Sequence, residues 1–568
     1  MAKQGMISDL TALLASLEGR IYKNYKKILG SWSCREWTLF IDHVQSSCES
    51  SPSRMRMRVP QLTAGFPLKV ISTKDASVAL GDYLLRKWES FSKKVSRRAG
   101  SGKSGLFYAE PCGPEILERS SVYFDPRFVE LRFRYGLPSV GNRIAPENLI
   151  QALSHAFPKI VSRILTWTSL DETEVMNFIH CYQDQEALRG EIMKKGYVAF
   201  IPDDAVLPRI DSNNPHPLPE AVRFISPPSL RQTFLLPHKG PISGMALPQG
   251  VTVITGGGFH GKTTLLNAVK TGIYNHVPGD GREYIVSDVS LFKINTEEGR
   301  TANGIDISPY IHDLPFGKGS TFFSSTQCSG STSQAASVVE SIRMGCRLLL
   351  FDEDSSAANF MYCDPVMDSL IGEKNRTITP FLETVRDLWE SFRVSSIMVT
   401  GSSSYYLQTA DKVLKMSDYR IEDATEEAQK SIRNQPQVLS KKLLASSFTS
   451  PRWIDSDRFR IRKRKAPFQT RVLSPREIQI GSMIVDFSDN EQICDMGQVR
   501  TIHTLILKFE EHVFKKRISF EKAVLQLFDS FFIKGIHDFL SEEGGFVPIR
   551  PIDFAHVMNR LRLLQIRE

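Results

Sequence analysis

No two cysteines stand in a C-x-x-C pair, and no apolar run reaches the ~18 residues needed to span a bilayer. The eight cysteines, at 34, 48, 112, 181, 328, 346, 363 and 494, are scattered. Their spacing suggests neither a disulfide framework nor a zinc site, and fits a reducing intracellular compartment. The start of the chain lacks the apolar core of a secretory signal, and Asp9 and Glu18 interrupt any clean mitochondrial presequence over Ile7 to Leu29. Neither sign of charge dominates: 71 Lys and Arg face 63 Asp and Glu, a formal net charge of +8. That excess favours an anionic partner only weakly, so the distribution of charge matters more than its total. With 568 residues, 41% hydrophobic and 24% charged, the chain has the composition of a soluble globular protein of three or four domains.

What is present begins at Val251. The β-branched run Val251, Thr252, Val253, Ile254 and Thr255 predicts a buried strand, and Leu265, Leu266, Ala268 and Val269 predict a helix. Between them lies Gly256-x-x-x-x-Gly261-Lys262-Thr263, the spacing of a phosphate-binding loop in a strand–loop–helix setting. Backbone N–H groups of Gly256, Gly257, Gly258, Phe259, His260 and Gly261 are expected to curl around phosphates, helped by the helix N-terminus. Lys262 is expected to reach the β- and γ-phosphates, with Thr263 as a Mg²⁺ ligand and Thr264 beside it. The cofactors predicted are therefore ATP and Mg²⁺.

Two later stretches extend the site. Arg347 to Asp354 reads as a buried strand ending in acids, and carboxylates at that edge sit where a parallel sheet places its ligand. Asp352 is expected to hold Mg²⁺, and Glu353 to act as the general base that polarises the attacking water. Shortly before it, TFFSSTQCSGSTSQAAS (Thr321–Ser337) runs from small polar residues into a helix, so Ser329, Gly330 and Ser331 open an anion-accepting helix N-terminus. A Gly-Ser-Gly-Lys-Ser run at 100–104 imitates a second phosphate loop. Arg97 occupies the position of its first glycine and no buried strand precedes it, so it is read as a loop.

The order of phosphate loop, Ser-Gly-rich helix start and apolar strand ending in Asp-Glu resembles the ATP-binding-cassette (ABC) class. The segments GGGFHGKTTLLNAV, IYNHVPGDGRE, DISPYI, SGSTSQAA, DEDSSAANFM and RSSVYFDPRFVELRFRYGLPSVGNRI are similar to the soluble family of predicted ATPases of that class. The resemblance implies an α/β P-loop fold, an α+β N-terminal domain, and a homodimer with ATP sandwiched between chains. In that arrangement Ser329 to Ser331 of one chain faces the phosphate loop of the other, and Ser356 to Asn359 forms a dimer-contact loop. It also implies RNA as a substrate, and, from a member associated with mitochondrial RNA editing, a mitochondrial matrix location within a larger RNA-processing complex. Three departures stand out. Phe259 replaces a common glycine, Cys328 and Thr332 replace outer signature residues, and Gly401 stands where the class has a switch histidine. No glutamine is evident for the loop before the signature, leaving Glu297 or Glu298 for that place.

Outside the core, alternation in Arg54-Met55-Arg56-Met57-Arg58-Val59 predicts a strand with three arginines on one face. Arg132 and Arg134 repeat the pattern, and Lys93, Lys94, Arg97 and Arg98 crowd a helix end. Two readings compete: solvated faces neutralised by acidic neighbours, or a basic surface for RNA or other nucleic acid, with Phe91, Phe107, Phe124, Phe133 and Tyr135 available to stack on bases. The domains expected are 1–200 (α+β), 201–250 (a Pro-rich connector), 251–425 (the ATPase core) and 426–568 (mostly helical). The charge run Arg458–Lys465 reads as a tail between domains, a nucleic-acid contact or a targeting cluster. A transporter's energy subunit and a slow, nucleotide-gated assembly protein are the alternatives to a nucleic-acid-coupled ATPase.

Overall fold

The computed structural model describes residues 3–211, 214–314, 319–362, 370, 372, 376–401, 403–435, 437–438, 440–461, 470–540 and 543–567. Arg462 to Lys465 of the basic run, with Cys363 and Ser402, lie outside the described residues. Two compact units are formed. The first comprises Met1–Gln183, Asp495–Arg500 and Lys534–Pro548, and the second Asp184–Cys494, Thr501–Ile533 and Ile549–Glu568.

The second unit is built on a six-stranded sheet in the order Phe292–Ile294, Leu348–Asp352, Ser395–Val399, Val251–Gly256, Lys412–Ser417, Arg420–Asp423. The first five strands are parallel and the last is antiparallel. Because side chains alternate across a strand, Leu349 and Phe351 enter one apolar cluster and Leu348 and Leu350 another. Burial on both faces is why these strands read as continuous apolar runs. Residues Ile254, Val399 and Asp352 lie level across the sheet, so the chain segments leaving these three strands emerge side by side at one edge.

The connector expected over 201–250 proves to be part of this unit. Strands Arg231–Leu236 and Gly240–Pro248 form an antiparallel sheet with Tyr197–Pro202 and Val286–Ser287. Prolines are tolerated because they fall at strand ends and in the turns between them, where no ladder N–H is needed. The boundary between units falls at Gln183/Asp184, inside the helix Glu172–Lys194. Residues 426–568 do not cluster apart: they are divided between the two units. They carry helices Met496–Val513, Phe520–Leu540 and Pro551–Asn559, together with a three-stranded sheet over 470–486.

The first unit holds a seven-stranded sheet whose central ladder pairs Ser53–Pro60 with Phe128–Tyr135. Met55, Met57, Leu131 and Phe133 are buried, and the helices Lys74–Val95 and Glu147–Ile164 supply Trp88 and Phe157 to a ring cluster with Phe107, Phe133 and Tyr135. Among the aromatics considered as base-stacking residues, Phe107, Phe133 and Tyr135 are therefore core.

Candidate functional site

The strand Val251–Gly256 ends in the phosphate loop, and the helix Lys262–Thr271 begins on Gly261. Gly256 has φ +140, and a Cβ there would lie 2.2 Å from the Met416 carbonyl oxygen, so only glycine lets the chain leave the sheet at this point. Gly261, at φ +94, turns the loop into the helix. Lys262 Nζ donates to the carbonyls of Gly256 (2.8 Å) and Gly257 (2.7 Å), closing the loop on itself. His260 Nδ1 accepts the backbone N–H of Asp418 at 2.7 Å, which ties the loop to the turn after Lys412–Ser417 and leaves the ring proton on Nε2. Phe259 is 99% exposed at φ +63, an apolar side chain held in solvent in a conformation costing about 1 kcal/mol. Thr263 is exposed and Thr264 half-buried.

Beside the loop, Asp352 ends its strand with its side chain buried and accepts the N–H of Asp354 at 3.3 Å. Glu353 points across to the next strand end. Its Oε2 accepts the Gly401 N–H at 2.6 Å and the Thr400 hydroxyl at 3.1 Å. A Cβ on Gly401 would lie 3.9 Å from Lys262 Nζ, so the three segments converge within a few ångströms. One carboxylate and one hydroxyl beside a phosphate loop are hard oxygen donors of the kind Mg²⁺ shares with substrate phosphates. Among the described residues no cluster of three or more His, Cys, Asp or Glu forms a metal site independent of such a ligand.

The helix Gly330–Arg343 is capped by Ser329, whose hydroxyl accepts the Thr332 N–H at 3.4 Å. Two of its residues bind the loop that follows Glu353. Ser331 Oγ donates to Asn359 Oδ1 (2.7 Å), while Gln334 Nε2 donates to Ser356 Oγ (2.9 Å) and its Oε1 accepts the Ala357 N–H (2.9 Å). Sequence reasoning missed Gln334 and Thr400. Gln334 lies one helical turn beyond Gly330, a spacing that shares a face and was its available signal. It also missed Asn295, at the end of the edge strand, which accepts from Ser355 Oγ (2.8 Å) and donates to Glu491 (2.9 Å). Glu297 is buried and ion-paired with Arg560, whose Nε lies 2.9 Å from Oε2; Glu298 is exposed. Asp411, to which the sequence assigned no role, accepts the Val251 N–H (2.8 Å) and Arg386 (2.7 Å), pinning the base of the loop-bearing strand. Within Tyr274–Glu283, Asn275, His276 and Asp280 are buried, held by Arg189, Gln185 and Arg209.

The arginine faces of the first unit meet carboxylates. Glu130, fully buried, accepts from Arg56 Nη1 (3.3 Å), Arg58 Nη2 (2.8 Å) and Arg132 Nε (2.9 Å). Arg56 also pairs with Asp42 (2.7 Å), and Arg54 with Glu543. Arg56 and Arg132 are 7% and 4% exposed, so they are internal groups and not an open phosphate-binding face. Arg134 lies in the same region, half-buried. On the helix end, Lys93 pairs with Glu89 (2.8 Å), whereas Lys94, Arg97 and Arg98 are exposed. Lys94, Arg97, His155 and Lys159 border a 420 Å³ cleft with no carboxylate in its lining.

The parallel sheet, the phosphate loop and the acids at the neighbouring strand end define an α/β P-loop nucleotide-binding core. Residues 171–450 match a family model described as ABC_ATPase, P-loop domain; residues 7–168 match the N-terminal domain of ATPases of the ABC class; residues 469–567 match the MRB1590 C-terminal domain. The chain belongs to the ABC-class ATPases. It is 28% identical over 288 residues to "Uncharacterized protein MJ1628" of Methanocaldococcus jannaschii, covering 48% of this chain and 60% of that relative. The chain thus spans less than two thirds of the curated relative it matches. Solved structures found similar include cbiO1 from Clostridium perfringens, part of the ABC transporter complex cbiONQ (13% identity, 42% of this chain and 96% of that one, TM-score 0.26). A bacterial Atm1-family ABC exporter with ATP bound is 13% identical over 52% of each chain (TM-score 0.25). No described helix is long and apolar enough to cross a membrane.

Proposed function

We propose that the chain hydrolyses ATP as a homodimer and couples closing and opening to the binding of RNA. The observation that carries this reading is the convergence of Lys262, Glu353 and Gly401 at one sheet edge. Lys262, freed from the Gly256 and Gly257 carbonyls, would hold the β- and γ-phosphates, and the loop N–H groups of Gly256 to Thr264 would cradle them. Thr263 and Asp352 would hold Mg²⁺, which when bound offsets phosphate charge. Glu353 would take a proton from the attacking water as the γ-phosphoryl group leaves ADP, giving ADP and inorganic phosphate. The bonds from Gly401 and Thr400 aim its carboxylate.

The dimer is supported by the geometry of Ser329 to Ser331. Their helix start is stitched to Ser356–Asn359, so a signal at one reaches Glu353 through three residues of chain. Those groups lie on a single chain's surface around a 510 Å³ cavity shared by Ser329, Ser331 and Asn359, a site a second copy would complete. For RNA, the supporting feature is the carboxylate-free cleft of Lys94, Arg97, His155 and Lys159. A mitochondrial location and membership of an RNA-processing complex rest on the family resemblance and the match to the MRB1590 C-terminal domain.

One observation favours a second reading, a nucleotide-gated assembly protein with slow turnover. Gly401 offers Glu353 a backbone N–H and no side chain, where the resemblance has a histidine sensing the γ-phosphate. ATP turnover measured alone, with single-stranded RNA and with DNA separates the two. Stimulation by RNA supports the first. Binding of ATP with negligible turnover under all three conditions supports the second.

A further inference from the structure

The ladder between Ser53–Pro60 and Phe128–Tyr135 places Arg54 directly opposite Arg134, and Arg56 opposite Arg132. Like charges facing each other across a ladder repel, so each arginine needs a counter-charge. Three have one: Arg54 pairs with Glu543, Arg56 with Asp42 and Glu130, and Arg132 with Glu130. Arg134 is different. Among the described residues its side chain makes no hydrogen bond and no ion pair.

Its charged surroundings make this costly. Arg54 and Arg500 repel it, and Glu110 is the one carboxylate that attracts it. Glu110 is already engaged, with one oxygen 3.6 Å from Arg500 Nη1 and the other accepting the Ser121 hydroxyl at 2.9 Å. Burial and the two neighbouring guanidinium groups hold Arg134 below the ordinary arginine range. A half-buried guanidinium with no ion pair among the described residues is partly desolvated without compensation, and an anion from outside the chain can answer it.

The space for that answer is present. The four arginines line a 220 Å³ cavity within the first unit, with Asp42, Glu110 and Glu543 as the acids among its described lining residues. Among the described lining residues four guanidinium groups thus face three carboxylates. Arg presents a planar fork that suits phosphate oxygens two at a time. The volume admits a phosphate group with a small organic group attached, and excludes a folded polymer. We propose that this cavity binds a phosphate group, with Arg134 as its principal ligand. The site is separate from the phosphate loop, and stands whether or not the chain hydrolyses ATP.

The test uses the full chain carrying Lys262→Ala, which removes the other phosphate binder, with and without Arg134→Gln. Inorganic phosphate, ribose 5-phosphate and a 5′-phosphorylated single-stranded oligonucleotide are titrated by calorimetry. Saturable binding by at least one of them, weakened about tenfold or more by Arg134→Gln, is expected. Binding of ribose 5-phosphate identifies a small ester as the source, and binding by the phosphorylated oligonucleotide alone identifies a strand end. No saturable binding by any of the three, or equal binding with and without Arg134→Gln, overturns the proposal. Should Arg134→Gln fail to fold, Arg134→Lys keeps the charge and loses the fork. It is then expected to keep the thermal midpoint and weaken binding, and unchanged binding overturns the proposal equally.

Discussion

Replacing Glu130 by glutamine takes one negative charge from the centre of three guanidinium groups and changes almost nothing in volume. The fully buried Glu130 carboxylate accepts from Arg56, Arg58 and Arg132 at 2.8 to 3.3 Å. Among the described residues, Arg56 alone of the three has a second carboxylate, Asp42, at 2.7 Å. Removing one partner of a buried ion pair costs about 3–5 kcal/mol, because the charge left behind is uncompensated. The glutamine carbonyl still accepts one bond, while its amide N–H₂ must face donors, so the lower half of that range is expected. In a unit of roughly 200 residues each kcal/mol moves the melting midpoint by about 2–4 °C, giving a fall of about 6–15 °C in the transition of the N-terminal unit. Scanning calorimetry at neutral pH reads it directly. A fall of less than about 1 °C, or a rise, would refute the view that these arginines are internal and held by Glu130. The same view predicts that Arg56→Ala and Arg132→Ala destabilise the unit, whereas charge removal at Lys94 and Arg97 leaves stability alone and flattens the salt dependence of RNA binding.

Three further outcomes are expected. Lys262→Ala abolishes or nearly abolishes ATP binding; tight binding retained in equilibrium dialysis contradicts the assignment of the phosphate loop. Gln334→Leu leaves the Ala357 N–H without its acceptor and costs about 1–3 kcal/mol, read as a lower denaturation midpoint, and an unchanged midpoint refutes the link between the two segments. Acid should expose Glu491, whose carboxyl is drawn down to about 2 by Lys270 and Lys293 despite its burial. Its folded value lies below the unfolded one, so its contribution is complete above the ordinary carboxyl range near 4.5 and is lost as pH falls from there towards 2. That contribution is of the order of 3 kcal/mol. Wild type should therefore lose more stability than Glu491→Gln between about pH 5 and pH 3, and parallel curves would count against it.

The core was legible because its signals are local. A β-branched run, a glycine-rich turn and an amphipathic helix occupy one stretch from Val251, and the alternation of Met55, Met57 and Val59 with arginines marks a strand that the structure contains. What escaped is contact between distant segments. Asp42 and Glu543 stand 14 and 489 positions from the arginines they bind, so the balance of charge on that face could not be read from either neighbourhood. The prolines of 201–250 masked two strands because they cluster at the turns. Glu353 could be named from its strand, but its tether to Thr400 and Gly401 depends on sheet order, which places a strand 47 residues later beside it. The boundary at Gln183/Asp184 falls inside a continuous helix, where composition does not change.

The central claim is that ATP joins two copies of the chain and that Glu353 lets them part. Sedimentation of Glu353→Gln with and without Mg-ATP tests it most directly. The account predicts single chains without nucleotide and a stable two-chain species with ATP, while wild type forms that species only transiently. A variant that stays a single chain in saturating ATP, or one that turns over ATP at the wild-type rate, would contradict it.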